Sequence, residues 1–369
     1  MKQGRGHRTA RANEVSDEER LIARYFRPLA KHPGAFGLID DAAALEPPAD
    51  CDLVLKTDGL ICGVHFFPDD PADAVAKKAL RINLSDLAAK GARPLGFLLA
   101  LALPRETGPE WLEPFARGLG EDAELFSLPL LGGDTDCTPG PLTISVAAVG
   151  SVPHGRMVRR VGARPGDLVV VTGTIGDAAL GLLLRRDPTL ADRWELCRAH
   201  QDHLKSRYLL PQPRNALIEA LRTHATAAMD ISDGLAGDLA KLCRASGVAA
   251  DIEVRRVPLS DAARAACEKE PSLVETILTG GDDYEVIATV PADAEHAFFD
   301  AARVANIKVT EIGRIAAGEG TARFVNLQGK VVSFARPSFS HFERRAAASC
   351  RYIIVANARP MHDRCQQVT

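Results

Sequence analysis

An α/β or α+β fold in two domains is predicted by three observations. Strand-like and helix-like segments alternate through both halves of the chain, the alternation restarts near Pro153, and 369 residues with 46% hydrophobic content can bury one large core or two ordinary ones. The expected division is a leader over 1–15, an N-terminal domain over 16–152, a C-terminal domain over 153–345, and a tail over 346–369 to which no function is assigned.

Ser16 followed by Glu19 is a capping box, so the first helix should start there and bury Leu21, Ile22, Tyr25 and Phe26 on one face. The basic leader before it is expected to be disordered. The loop GLIDDAAAL leads to a predicted strand, DLVLKTD. Pro71, after Asp69 and Asp70, signals a helix over DAVAKKALRINLSDLAAKGA, which Gly91 closes. LGFLLALALP reads as a fully buried strand, since an uninterrupted apolar run offers no face to water. WLEPFARGLGEDAELF should be a helix and LTISVAAVGSV another strand. Past Pro153 the expected order is a turn and strand (RPGDLVVVTG), a helix (GDAALGLLLRR) and a proline-started helix (PQPRNALIEALR). Strand ATAAMDIS, helix GLAGDLAKLCRAS stopped by Gly247, and strand AADIEV come next. Helical stretches around 259–278, strand YEVIATV, and a further helix and strands complete the series to about residue 334.

With 45 basic and 48 acidic residues the formal net charge is -3, far from the basic excess that binding a phosphate backbone needs, so nucleic acid is not an expected partner. The eight cysteines are scattered, with no CxxC pair, and read as reduced thiols. The basic start runs into SDEERLIARYF rather than into the apolar stretch of a signal peptide, and no later stretch is long and uncharged enough to span a bilayer. No membrane association is expected, and a cytoplasmic location is.

Five segments share one character: IDDAA (Asp40, Asp41), KTDG (Thr57, Asp58), NLSD (Asn83, Asp86), GGDT (Asp134, Thr135) and DISDG (Asp230, Ser232, Asp233). Each sets an aspartate at the end of an apolar element, beside a glycine or hydroxyl. Magnesium takes hard oxygen ligands and binds through a few carboxylates plus substrate phosphates, and neighbouring glycines let backbone N–H groups approach those phosphates. Gathered carboxylates repel one another unless cations compensate them. Aspartate before glycine is also ordinary turn chemistry, and Ser232 or Asp233 could simply cap the helix that follows. No Walker A motif, GxGxxG after a strand, or HExxH is present.

Taken in order, these segments resemble the thiamine-monophosphate kinase family, of the superfamily named for aminoimidazole ribonucleotide synthetase. The resemblance runs from about Ser16 to about Phe342. It is carried by GLIDDAAAL, LKTDGLICGVHF, KALRINLSDLAAKGARP, GGDTDCTPGPLTISVAAVG, RRVGARPGDLVVVTGTIGDAALGL, AMDISDGLAGDLAKLCRASG and GGDDYEV. It implies an N-terminal α/β domain that pairs with its copy in a homodimer and a C-terminal domain closing a cleft over ATP. It implies magnesium at Asp41, Thr57, Asp58, Asp86, Asp134, Asp230 and Asp233, nucleotide contacts from Gly133, Arg160 and Ser232, and thiamine phosphate contacts from His65, Asp282 and Phe339.

Several positions depart from the family pattern. Lys56 stands where a Ser is often found, Asp136 replaces the second Thr of GGDTT, and Asp282 replaces the Glu of GGEDYE, shortening its reach by one methylene. Phe339 lies in SFSHF, where the family more often has Gly before an aromatic. The implied reaction is in-line transfer of the γ-phosphoryl of ATP to thiamine monophosphate, with no dedicated acid or base because the acceptor is already an anion. Rival readings are another enzyme of the superfamily, such as aminoimidazole ribonucleotide synthetase or selenophosphate synthetase, and a non-catalytic nucleotide-binding regulator. A selenophosphate synthetase usually carries a reactive Cys or selenocysteine in its N-terminal segment, and no cysteine here precedes Cys51.

Overall fold

The structure is a computed structural model and describes residues 15–336 and residue 338. Phe339 and the tail lie outside the described residues. The capping box forms as expected: Glu19 N–H donates to Ser16 Oγ at 3.0 Å and Ser16 N–H to Glu19 Oε2 at 2.7 Å. It starts α1 (Asp17–Leu21), and the chain continues as a π-turn over Ile22–Phe26 that buries Tyr25 and Phe26.

The first sheet holds β1 (Cys51–Ile61), β2 (Arg93–Pro104), β3 (Leu130–Thr138) and β4 (Thr143–Pro153) in the order β1-β4-β2-β3. Only β2 and β3 pair in parallel. A parallel pair needs a crossover, supplied by α3 (Pro109–Leu125), while α2 (Ala72–Ala89) joins β1 to β2. Both helices pack on one face, where Leu80, Leu84, Phe97, Phe115 and Ile144 have essentially no exposure. Each such side chain contributes about 1.5–3 kcal/mol by leaving water.

The opposite face of this sheet is open, which corrects the fully buried reading of LGFLLALALP: Leu98 is 42% exposed between buried Phe97 and Leu99. An apolar run alone cannot reveal that helices cover only one side. Strand β3 was not expected, because its Gly-Gly-Asp-Thr-Asp stretch has weak strand propensity. Pairing with the apolar β2, with Ala100 opposite Asp134, forms it nonetheless.

The second sheet has the order β11-β10-β7-β9-β5-β8-β6, from β5 (Leu168–Thr172), β6 (Ala227–Asp230), β7 (Ala249–Glu253), β8 (Val286–Val290), β9 (Val309–Ala316), β10 (Ala322–Val325) and β11 (Val331–Val332). Its helices are α4 (Asp177–Arg186), α5 (Leu190–Arg193), α6 (Arg198–Leu209), α7 (Ile218–His224), α8 (Leu235–Ser246), α9 (Asp261–Lys269), α10 (Leu273–Thr279) and α11 (Glu295–Val304). Val169 and Val171 of β5 face one core with α4, α6, α8, α9 and α10, whereas Leu168 and Val170 face another with α7 and α11. That two-sided cover is why β5 is an unbroken apolar run. Helix α6 was missed because only Leu204, Arg207 and Tyr208 of it are buried, too thin a stripe to read as periodic. PQPRNALIEALR becomes helical only at Ile218, after a 3-10 turn over Asn215–Leu217.

Helices α4 and α6 meet at Gly181, where an added Cβ would lie 2.1 Å from the Leu204 carbonyl oxygen. Gly181→Ala should therefore push the helices apart and cost about 1–3 kcal/mol, read as an earlier urea midpoint. All described residues belong to one compact unit. Helix α2 ties the two sheets together: Arg81 Nη1 donates to Pro211 O at 3.2 Å, Ser85 Oγ to Tyr284 O at 3.4 Å and Lys90 Nζ to Ala228 O at 2.7 Å. Among the described residues no helix is long and apolar enough to cross a membrane.

Candidate active site

The inward face of β1, the C-terminal half of α2 and the turn after β6 converge on one acidic cluster. Alternation along β1 sends Lys56 and Asp58 to the α2 side. There Lys56 Nζ lies 3.0 Å from Asp58 Oδ1 and 2.7 Å from Asp86 Oδ2 of α2. Burial works against the Lys56 charge, but Asp86 and Asp58 outweigh it and hold its pKa above the ordinary lysine value. Burial raises the pKa of Asp58; Lys56 opposes that rise, and the neighbouring charges of Asp86 and Asp233 add to it.

Asp230, the last residue of β6, is 2% exposed. Burial and then the charges of Asp86 and Asp238 push its carboxyl well above the usual range, and its Oδ2 is buried with no hydrogen-bond partner. An oxygen left so costs free energy unless a hydrogen-bond donor or a cation meets it. Lys90, beside it, is driven by burial down to about 8, against the attraction of Asp230.

The turn after β6 does not use its polar side chains as caps. Gly234 is the N-cap of α8, with no side-chain cap bond, and instead Ser232 and Asp233 N–H donate to Asp238 Oδ2 at 3.0 and 2.9 Å. The Asp233 carboxylate accepts from Lys241 Nζ at 2.5 Å. Gly281 packs directly on this turn, where a Cβ would lie 2.4 Å from Ser232 O. That approach brings in Asp282, whose φ of 72° is in the left-handed region and whose N–H donates to Ser232 O at 2.9 Å.

His65 and Asp282 are joined by Lys78, which is 2% exposed. Its ammonium donates to His65 O and to Asp282 Oδ2, each at 3.2 Å, and sits 3.9 Å from the centre of the Tyr208 ring. His65 Nδ1 accepts from Ile61 N–H at 2.9 Å, so the proton of the neutral ring is on Nε2. Nothing in the sequence separates Lys78 from Lys77 beside it, which pairs instead with Glu121 at 2.6 Å, and neither Lys78 nor Tyr208 was among the expected site residues.

Asp41, Gly133 and Asp134 lie elsewhere, lining a groove of ≈ 750 Å³ on the open face of the first sheet with Leu98, Ala100 and Ala147. Thr57 also faces that side, since it pairs with Ala147 while Asp58 pairs with buried Val146. Strands β1 and β3 are the two edges of the sheet, so Asp58 and Asp134 stand about 14 Å apart by strand spacing alone. One ion with ligand distances of about 2.1 Å cannot touch both. The seven positions expected to hold metal therefore do not meet at one point in a single chain: Asp58, Asp86, Asp230 and Asp233 gather, and Asp41, Thr57 and Asp134 are across the sheet from them. Arg160 is exposed at the rim, close enough to Lys90 to influence its charge.

Among the described residues no three His, Cys, Asp or Glu side chains are arranged to hold a metal ion. The all-oxygen donor set and the unpartnered Asp230 Oδ2 nevertheless fit magnesium, with Lys56 and Lys241 standing on the carboxylates it would use.

The AIR synthase related protein family matches this chain with its N-terminal domain over residues 39–152 and its C-terminal domain over residues 164–326. A thiamine-monophosphate kinase of Caulobacter vibrioides is 42% identical over 324 residues, covering 87% of this chain and 89% of its own length. The crystal structure of a thiamine-monophosphate kinase from Stenotrophomonas maltophilia superposes with a TM-score of 0.75 at 39% identity, covering 85% of this chain and 96% of that one. A solved complex, AaThiL with AMPPCP and TMP, gives a TM-score of 0.69 at 34% identity, covering 84% and 97%.

Proposed function

The chain belongs to the AIR synthase related family and, within it, to the thiamine-monophosphate kinases, and from that premise we propose that it transfers the γ-phosphoryl group of ATP in line to thiamine monophosphate, giving thiamine diphosphate and ADP. One observation carries the reading: a buried Asp230 carboxylate with an unsatisfied oxygen, set among Asp86, Lys56 and Lys90. Such an arrangement costs stability without a ligand, which marks it as a site kept for function.

Asp58, Asp86, Asp230 and Asp233 are the residues to hold magnesium, with Asp41, Thr57 and Asp134 completing the set. Bound divalent ions would screen the repulsion between two phosphate groups. Gly133, Arg160 and Ser232 serve the nucleotide. His65 and Asp282, braced by Lys78, face thiamine phosphate, and Phe339, outside the described residues, offers a ring to the cationic thiazolium. The acceptor oxygen is anionic from the start, so no side chain need remove a proton from it.

A homodimer through the open face of the first sheet is supported by Leu53, Leu55 and Leu98, which are 45%, 73% and 42% exposed there. Pairing through that face would also bring the partner subunit's Asp134 toward the groove that Asp41 lines and Thr57 faces. The family boundaries near residues 152 and 164 support a domain division at Pro153. The free thiols of the described cysteines and a nucleotide co-substrate favour the cytoplasm.

Purified protein incubated with MgATP and thiamine monophosphate should yield thiamine diphosphate and ADP on chromatography, and EDTA should stop it. Folded protein that releases no thiamine diphosphate under these conditions would end the assignment.

A further inference from the structure

Lys56 is a departure from the family pattern at the point where two metal carboxylates meet. Its ammonium touches both, at 3.0 Å from Asp58 and 2.7 Å from Asp86, with the three side chains 28%, 34% and 14% exposed. We propose that Lys56 is a tethered counter-cation that holds the Asp58–Asp86 pair in the metal-free protein, and that a divalent ion enters this pair only by displacing it. The inference rests on the reading of Asp58 and Asp86 as metal ligands.

Two carboxylates close enough to share one ammonium repel each other when both are charged, and the lysine cancels that repulsion without any bound ion. Magnesium would need oxygens of the same two carboxylates at about 2.1 Å, and at that range the ammonium repels a second cation, so the two compete for the pair. The geometry is set by the strand: Lys56 precedes Asp58 by two residues and so projects from the same face of β1, toward Asp86 on α2. A serine at this position could add a ligand oxygen, whereas a lysine adds a competitor. Lys241 has a related place on Asp233, but it also binds Asp238, whose carboxylate is fully buried, and so has a structural partner to keep it there.

The test uses the full-length protein and Mn2+ alone, with free ion counted by electron paramagnetic resonance. Lys56→Ser and Lys56→Gln, each verified as folded by circular dichroism, should bind Mn2+ about tenfold or more tightly than the unaltered protein, because a competing unit charge is gone. Lys56→Arg, which retains the charge, should give no gain, and adding Asp58→Asn to Lys56→Ser should abolish it. In EDTA the two neutral variants should melt earlier than the parent and recover with Mn2+. If Asp58→Asn weakens Mn2+ binding while both neutral variants reproduce the parent isotherm, the role of Lys56 is overturned and the metal site stands. If none of the variants moves the isotherm, the carboxylates are not a metal site and the proposal falls with the reading beneath it.

Discussion

Asp58→Asn should lower turnover about a hundredfold to a thousandfold, the scale seen when a preorganised group facing transition-state charge is lost, while the protein stays folded. The amide retains the shape while exchanging the charge and one acceptor oxygen for an NH2 donor. Burial already raises the Asp58 pKa, so its ionised form weighs against folding and neutralising it should not lower the thermal midpoint. Asp134→Asn should be equally inactive, although its side chain is on the groove face and makes no contact with the Asp58 cluster in one chain. Mixing the two inactive proteins and letting subunits exchange distinguishes how the site is built. If one catalytic site draws on Asp58 of one subunit and Asp134 of the other, each mixed dimer has one intact site, and an equal mixture should recover about a quarter of parental activity. Steady-state kinetics before and after exchange read this directly. Near-normal activity in either single variant would refute the metal roles, and no recovery on mixing would refute the shared site.

Glu285→Ala should be the most destabilising single change among those considered. The carboxylate has no exposure and accepts from Arg207 Nη2 at 2.7 Å, from Arg214 Nε at 2.6 Å and from Thr172 Oγ1 at 2.6 Å, with a further bond from Arg214 Nη2. Removing it leaves two largely buried guanidinium groups without their anion, at a cost of about 3–5 kcal/mol. Arg207 also donates to Asp283 O at 3.3 Å, so the loss should loosen the turn that presents Asp282 to Lys78. A chain of this size need not unfold in two states, so the shift is best followed as the urea midpoint by fluorescence. Glu285→Gln, which can still accept hydrogen bonds, should lose less. An unchanged midpoint in the alanine variant would show that the arginines have other partners to turn to.

The capping box at Ser16, the helix over the NLSD segment and the apolar strand after Pro165 were legible because each depends on residues a few positions apart. The aspartate motifs were legible for the same reason: a carboxylate beside a glycine at the end of an apolar run has a chemistry that can be read locally, and the family resemblance adds their order. Strand β3 was not, because its Gly and Asp residues become a strand only through β2, whose pairing partner no local pattern names. Lys78 and Lys56 were equally opaque, since a lysine reads as solvated until a neighbouring element buries it or brings it a carboxylate.

By itself, then, the sequence determined which side chains are available, where the local elements start and stop, and the family to which the chain belongs. Only the tertiary structure decided which of those side chains meet. Strand order and the two-residue alternation of a strand are what turned Asp58 toward Asp86 and sent Thr57 and Asp134 to the far side of the same sheet. Those are consequences of pairing between segments far apart in the chain, and short-range sequence patterns do not encode them.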